Sequence, residues 1–221
     1  MEQTQQAKRE QIVRCFRKLY EQGTINLFEG NFSARWGENV LMTPSQQNKE
    51  TMTPDMLVVL DAEGNLLSSN GLQPSSEARM HLEIYRLRPD LGAVVHTHSV
   101  CASAFALAGI PIRSELAELH LFYGGEIPCC AYGAPGTDAV FAQFERYFLR
   151  EQRDVVLLAN HGLVAAGRDV EEAFARAEAV EKLAKTAILA RVLGGECPLP
   201  EGAAAELIEK WNNGRDRGRR N

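Results

Sequence analysis

The chain has 221 residues, of which 45% are hydrophobic and 24% charged, and its formal net charge is −5. This length and composition predict one soluble globular domain with a sizeable core, and the negative charge argues against nucleic acid or an anionic membrane as the main partner. The polar start MEQTQQAKRE lacks the apolar core of a signal peptide, and no apolar run approaches the ~20 residues of a membrane span. The five cysteines form no C-x-x-C, so we expect a cytoplasmic protein with reduced thiols.

Helical and strand-like patterns alternate along the chain. The predicted helices cover about residues 6–22, 74–87, 99–109 and 169–194. The predicted strands cover 39–42, 56–60, 66–67, 93–98, 155–159 and 163–166, the last two joined by a tight turn. Alternating elements with buried strands predict a single α/β domain over residues 1–221, whose central sheet is covered by helices on both faces.

Two histidines lie one residue apart in VVHTHS, at the end of a predicted buried strand. Positions i and i+2 of a strand share a face, so His96 and His98 project the same way. An isolated H-x-H is as often two ordinary histidines at a strand end as a pair that binds a ligand. Whether this pair binds a ligand therefore depends on partners elsewhere in the chain. His161 lies at the turn of the predicted VVLLANHGLVAAG hairpin, beside other strand ends. Three imidazoles with an open fourth position match a site for Zn²⁺ or a similar divalent metal.

The sequence around the two other histidines gives less evidence for a role in the site. His81 follows Glu77 by four residues on the same helix face, and we expect it to pack behind the site rather than to bind a ligand. His120 in AELHLFYGG is equally compatible with the surface and with the site.

Glu77 is predicted one turn inside a helix whose start carries Pro74, Ser75 and Ser76. A carboxylate in the first turn is favoured by the helix dipole, and serines are ordinary caps. Together, free N–H groups and two hydroxyls form an anion site, for which phosphate is a common ligand. A metal, a carboxylate and a phosphate cradle indicate carbon–carbon chemistry on a phosphorylated sugar.

Five motifs in this order resemble the class II aldolase/adducin family: GNFSAR at 30–35, LMTPS at 41–45, PSSEARMH at 74–81, AVVHTHS and LLANHGL. The resemblance covers about residues 11–190. It implies a three-layer α/β/α fold with a mainly antiparallel or mixed central sheet. It also implies zinc, or Co²⁺ or Mn²⁺, bound by His96, His98 and His161, with Glu77 as the catalytic acid/base. The residues implied for the substrate phosphate are Asn31, Ser45, Ser75 and Ser76.

The reaction implied by the resemblance is retro-aldol cleavage of a 1-phosphoketose, such as fuculose 1-phosphate, into dihydroxyacetone phosphate and an aldehyde. A metal chelated by the substrate oxygens stabilises the developing enediolate charge, and Glu77 moves the proton to and from the carbon. The resemblance further implies a homotetramer with active sites at subunit interfaces. The C-terminal arm, about residues 203–221, would be mobile or would reach a neighbouring subunit.

Two positions depart from the family pattern in the phosphate loops. Phe28 stands in place of a threonine and Gln46 in place of a glycine, which predicts a reshaped phosphate pocket. The C-terminal arm also lacks the tyrosine expected against the aldehyde half of the substrate, for which Trp211 and Tyr123 are the available substitutes.

Family members with other activities have the same three histidines, and the sequence alone does not decide among these activities. A sugar-phosphate 4-epimerase of the family has aspartate at the position of Glu77, which favours an aldolase here. Dehydratases and decarboxylases of sugar phosphates keep the triad. A non-enzymatic, adducin-like binding module is less favoured, because adducins lose metal ligands that this chain keeps.

Overall fold

Eight strands form one sheet in this computed structural model, which describes residues 4–218 and the side chains as far as residue 214. The strands are β1 (Asn31–Trp36), β2 (Asn39–Met42), β3 (Val58–Leu60), β4 (Leu66–Ser68), β5 (Ala93–Thr97), β6 (Cys129–Cys130), β7 (Val155–Leu158) and β8 (Gly162–Gly167). Their order is β4-β3-β2-β1-β5-β8-β7-β6. Every neighbouring pair is antiparallel except the parallel pair of β6 and β7. The predicted α/β fold with a mixed, mainly antiparallel sheet is therefore confirmed.

Helices cover both faces of the sheet. They are α1 (Gln5–Glu21), α2 (Ala78–Leu87), α3 (Val100–Ala108), α4 (Ala117–Tyr123), α5 (Val170–Val192) and α6 (Ala203–Gly218). Short 3-10 turns lie at Pro54–Met56 and Asp138–Phe141, and a π-helical segment lies at Glu145–Arg150. Helices α1, α3, α4 and α5 contribute to one apolar cluster, whereas α2 and the π-helical segment contribute to a second.

The central strand β5 separates these two clusters. Ala93 and Val95 pack into the first cluster and Val94 into the second, because alternate side chains of a strand face opposite sides. All five residues of β5 are buried, as expected for a strand covered on both faces. Its register with β1 and β8 places His96 opposite Asn31 on one side and Val164 on the other.

The start of α2 differs from the sequence prediction. The helix begins at Ala78, so Glu77 lies at its N-cap rather than one turn inside. Pro74 forms an isolated antiparallel bridge with Pro44, and Ser45 N donates to Gln73 O at 2.9 Å. This long-range pairing keeps the chain extended where local propensity favours a helix.

The predicted C-terminal arm forms helix α6 over most of its length, and this helix packs on α4 of the same chain. Residues 219–221 of the predicted arm lie outside the described residues. Within the described part of the chain, no helix combines the length and apolarity needed to cross a membrane.

Candidate metal centre and phosphate loops

Four side chains converge at one end of the central strands. His96 lies near the end of β5, His98 follows that strand, His161 lies in the β7–β8 turn, and Glu77 precedes α2. One donor atom from each lies within 4.8 Å of the donor atoms of all the others. The topology explains this convergence, because β5 and β8 are antiparallel neighbours and the end of β5 therefore meets the turn that begins β8.

The β7–β8 turn approaches β5 closely because it contains a glycine. A Cβ atom on Gly162 would lie 2.5 Å from Thr97 O and 3.0 Å from His98 Cδ2, distances that a larger residue cannot keep. Asn160 in the same turn has φ +58°, a left-handed conformation in which asparagine is enriched. The ANHG sequence thus places the His161 ring against the other two imidazoles.

The ring nitrogens face a common space. His96 Nδ1 donates to Leu163 O at 2.9 Å, which leaves Nε2 of the neutral ring as a lone-pair donor. That Nε2 lies 2.8 Å from His98 Nε2 and 3.3 Å from Glu77 Oε2. His161 Nε2 lies 3.2 Å from Glu77 Oε1. Three Nε2 atoms and one carboxylate therefore surround a volume of atomic size.

Burial favours the neutral form of two of these imidazoles, those of His96 and His161. Desolvation, followed by the neighbouring His98 and His161, lowers the pKa of His96 far below its usual value. Desolvation also lowers the pKa of His161. Neutral imidazole is the form that ligates a metal. The His96 side chain is fully buried, whereas that of His98 is 26% exposed, so the centre opens to solvent on the His98 side.

These donors fit a divalent cation. Nitrogen-rich sets of three histidines with one further position are typical of catalytic zinc, and Glu77 Oε1, which faces the same space, is buried without a hydrogen-bond partner. Glu29 Oε2 lies 3.6 Å from His98 Nδ1, on the far side of that ring. The carboxylate thus faces Nδ1 of His98, whereas Nε2 of the same ring faces the centre. Sequence reasoning missed Glu29, because nothing in the GNFSAR motif indicates which side chain of the preceding loop reaches a histidine.

The predicted phosphate residues lie on three adjacent segments beside Glu77. Asn31 is buried at the start of β1, and its Nδ2 donates to Glu77 Oε2 at 2.8 Å. Ser45 and Ser75 follow the two bridged prolines, and Ser75 Oγ accepts a hydrogen bond from Glu77 N at 3.3 Å. The Ser76 residue is exposed. The structure thus brings the four residues to the same end of the sheet as the histidines.

The two departures from the family pattern are exposed at these loops. Phe28 is 57% exposed, and Gln46 is exposed with φ +53°, a conformation that favours glycine. Between them, Gly30 has φ +77° and approaches β5 so closely that a Cβ would lie 2.9 Å from His96 O.

His81 and His120 do not join the metal centre. His81 is fully buried, its Nδ1 lies 2.7 Å from Ser33 Oγ, and desolvation lowers its pKa to about 3. Ser33 Oγ in turn lies 2.8 Å from the Tyr85 hydroxyl. His120 is half-buried in α4, and both its ring nitrogens are buried without a hydrogen-bond partner.

Neither Tyr123 nor Trp211 reaches the metal centre of its own chain. Arg153 donates to Tyr123 O at 2.8 Å, and its guanidinium lies 5.5 Å from the centre of the Trp211 ring. Arg153 shortly precedes β7, whose other end leads to His161. Both aromatic residues therefore lie at the opposite end of the sheet.

Comparison with known proteins agrees with this geometry. Residues 10–188 match the family model described as Class II Aldolase and Adducin N-terminal domain. The chain is 33% identical over 207 residues to 5-methylthioribulose-1-phosphate/5-deoxyribulose-1-phosphate aldolase of Rhodospirillum rubrum, covering 93% of this chain and 91% of that protein. It is 33% identical over 187 residues to 3-oxo-tetronate 4-phosphate decarboxylase of Haemophilus influenzae, covering 82% and 87%.

A solved structure of L-fuculose 1-phosphate aldolase matches the fold with a TM-score of 0.83 and 28% identity, over 93% of this chain and 96% of that one. The family model spans the strands and loops that carry all four converging side chains. The chain is a member of the class II aldolase/adducin family.

Proposed function

We propose that this protein is a divalent-metal-dependent aldolase that cleaves a ketose 1-phosphate into dihydroxyacetone phosphate and an aldehyde. The observation that carries the proposal is the convergence of Glu77 with His96, His98 and His161 within 4.8 Å. The Rhodospirillum rubrum relative and the solved neighbour are both named as aldolases of ketose 1-phosphates. Their names support fuculose 1-phosphate and 5-deoxyribulose 1-phosphate as the first substrates to test.

The three histidines would hold the cation through Nε2. Imidazole nitrogens suit Zn²⁺, and three histidines with an open fourth position are typical of catalytic zinc; Co²⁺ or Mn²⁺ are the alternatives. A cation bound there would supply a Lewis acid beside the substrate oxygens on which negative charge develops. The depressed pKa of His96 keeps the donor unprotonated, so this chain spends little free energy on deprotonating that ligand.

Glu77 would move the proton. Cleavage breaks the C3–C4 bond, releases the proton of the C4 hydroxyl as the aldehyde forms, and adds one proton to C3. Asn31 Nδ2 holds Oε2 of Glu77 at 2.8 Å, whereas Oε1 accepts no hydrogen bond. Oε1 is therefore the free oxygen that can carry the proton to C3.

The substrate phosphate would bind to neutral donors. Asn31, Ser45, Ser75 and Ser76 lie on three segments that meet beside Glu77. The Asn31 amide has a second N–H beyond the one given to Glu77, and the Ser76 residue is exposed. Hydrogen bonds of this kind to an anion contribute ~1.5–3 kcal/mol each.

A decarboxylase of a 3-oxo sugar-acid phosphate is the second candidate. The similarity to the Haemophilus influenzae protein of that name supports it, because the same cation and phosphate donors would stabilise the charge left when carbon dioxide departs. The two candidates differ in the substrate group placed beside Glu77.

We also propose a homotetramer with the active site at a subunit interface. Val100 and Leu107 on α3 are 73% and 70% exposed, and Val192 and Leu193 at the end of α5 are 77% and 88% exposed. Exposed apolar surface of this kind is typical of interfaces. Helix α3 begins two residues after His98, so a subunit packed on α3 would border the metal centre.

The test is a screen of ketose 1-phosphates with metal-loaded protein, in which dihydroxyacetone phosphate is measured by coupled reduction with NADH. We expect release from at least one ketose 1-phosphate and loss of release in Glu77→Gln. Cleavage of the unphosphorylated ketoses, measured as release of dihydroxyacetone, should be slow. A parallel assay measures carbon dioxide from 3-oxo-tetronate 4-phosphate. Carbon dioxide release without any dihydroxyacetone phosphate would replace the aldolase by the decarboxylase, and neither product at full metal content would refute both.

A further inference from the structure

A lysine is buried beneath the phosphate loops. Lys49 is only 2% exposed, and its Nζ donates to Gln47 O at 2.9 Å and to Phe28 O at 3.3 Å. Its backbone N donates to Leu27 O at 3.1 Å, and its ammonium lies 5.3 Å from the centre of the Phe16 ring. The lysine therefore ties the loop before β1 to the loop after β2.

No carboxylate among the described side chains, residues 4–214, forms an ion pair with this ammonium. Desolvation alone lowers the pKa of Lys49 to about 8, which still leaves the side chain mostly protonated at neutral pH. Taking an ammonium out of water without a counter-ion is unfavourable, and methionine would fill a similar volume without that penalty. A bound anion nearby would compensate this unfavourable burial of charge.

The two loops that Lys49 joins are those that carry the predicted phosphate donors. The first leads through Gly30 into Asn31, and the second contains Ser45, two residues before Gln47. Ser45 N donates to Gln73 O at 2.9 Å, which brings the loop with Ser75 alongside. The predicted donors are all neutral, and Lys49 adds a buried positive charge behind the loops that carry Asn31 and Ser45.

We propose that Lys49 is a positioning residue for the phosphate subsite: its buried ammonium fixes the loops of Asn31 and Ser45 and attracts the phosphate through its charge, without touching the substrate. This inference rests on the proposed function only in that the anion is taken to be a substrate phosphate. A dianion in these loops would supply the counter-charge that Lys49 lacks in the free protein.

The experiment measures binding of inorganic phosphate to the full-length, metal-loaded protein by calorimetry, for the wild type, Lys49→Met and Lys8→Met. Lys8 is the matched control, because its Nζ also donates to a backbone carbonyl, Arg35 O at 3.2 Å, away from these loops. We expect Lys49→Met to bind phosphate about 10-fold more weakly or worse, and Lys8→Met to bind it as the wild type does. Wild-type phosphate affinity in Lys49→Met would overturn the proposal.

Kinetics separate a charge effect from general loosening of the loops. Lys49→Met should raise KM for the ketose 1-phosphate about 10-fold while kcat changes much less, and KM for the unphosphorylated ketose should not change. An equal loss of kcat for both ketoses would contradict the proposal. Lys49→Gln serves if the methionine variant does not fold, since it removes the charge and keeps an amide donor, and wild-type phosphate binding in that variant would also overturn the proposal.

The result does not depend on the reaction catalysed. Phosphate binding that requires Lys49, in a protein that releases no dihydroxyacetone phosphate from any ketose 1-phosphate, would reject the aldolase and retain the inference. Cleavage of a ketose 1-phosphate at the wild-type KM by Lys49→Met would retain the aldolase and reject the inference about Lys49.

Discussion

Replacing Gly162 by alanine tests the packing that holds the candidate metal centre together. The added Cβ would lie 2.5 Å from Thr97 O, 3.0 Å from His98 Cδ2 and 3.3 Å from His96 Cε1. Real Cβ contacts are essentially never shorter than 3.0 Å, so β5 and the β7–β8 turn must separate. The carbonyl belongs to the backbone of a buried central strand, and it cannot rotate away as a side chain can.

The size of the effect follows from that distance. Strand and turn must separate by about 0.5 Å, which equals the tolerance within which a functional site must hold its groups. Overpacking of a buried position costs ~1–3 kcal/mol, equivalent to ~2–12 °C in Tm for a domain of this size. Displacement of residues that orient metal ligands weakens metal binding by ~10–100-fold, and we expect Gly162→Ala to fall in that range.

The assay is competitive metal titration against a chelating dye, with thermal unfolding of the same samples. Gly214→Ala is the control, because a Cβ there meets no atom within 4 Å and alanine favours the interior of helix α6. That variant should bind metal normally and unfold at an equal or higher temperature. A Gly162→Ala protein with unchanged metal affinity and unchanged Tm would refute the close packing of turn and strand as the determinant of the site.

Four further predictions concern the same site and its assembly. His96→Ala should lose most of the bound metal, as judged by elemental analysis of purified protein, and full metal retention in His98→Ala and His161→Ala would exclude the triad. Glu77→Gln should keep the fold and substrate binding but lose ~10²–10⁴-fold in kcat; a near-normal kcat would exclude proton transfer by Glu77. Ser75→Ala should raise KM for the phosphorylated substrate about 10-fold. Asn31→Ala should raise that KM as well and should also lower kcat, because it frees Glu77 Oε2. Steady-state kinetics with the phosphorylated and the unphosphorylated ketose measure both effects. Light scattering at micromolar concentration should give the mass of a tetramer, and a monomer mass would contradict the interface on α3.

Local sequence patterns predicted most of the elements near the site. The strand over 39–42, the strand predicted over 93–98 and found at Ala93–Thr97, and the hairpin around His161 are all present, because alternation, apolar runs and turn residues act over short distances. Strand spacing, turn position and the predicted helix start singled out His96, His98, His161 and Glu77, the family resemblance assigned their roles, and the structure brings these four together. Their roles in binding and catalysis remain predictions.

Long-range contacts account for what the sequence did not predict. Glu77 lies at the helix start rather than inside it because Pro74 pairs with Pro44, thirty residues earlier in the chain. Lys49 gives no sequence signal, since a single lysine in a polar loop is usually exposed, and its burial depends on two loops meeting over the Phe16 ring. The position of Trp211 likewise depends on how α6 returns to α4.

The hydrogen bond from Asn31 to Glu77 has a consequence for the length of the substrate. One amide nitrogen carries two N–H groups about 120° apart, so two acceptors bonded to it lie roughly 5 Å from each other. With Glu77 Oε2 as one acceptor at 2.8 Å, the phosphate oxygen that we propose for the other N–H would lie at a fixed spacing from the Glu77 carboxylate. The planar amide would then fix the distance along the sugar chain between the phosphate and the carbon beside Glu77. A ketose whose phosphate is one carbon farther from the bond to be broken would place the wrong carbon beside Glu77.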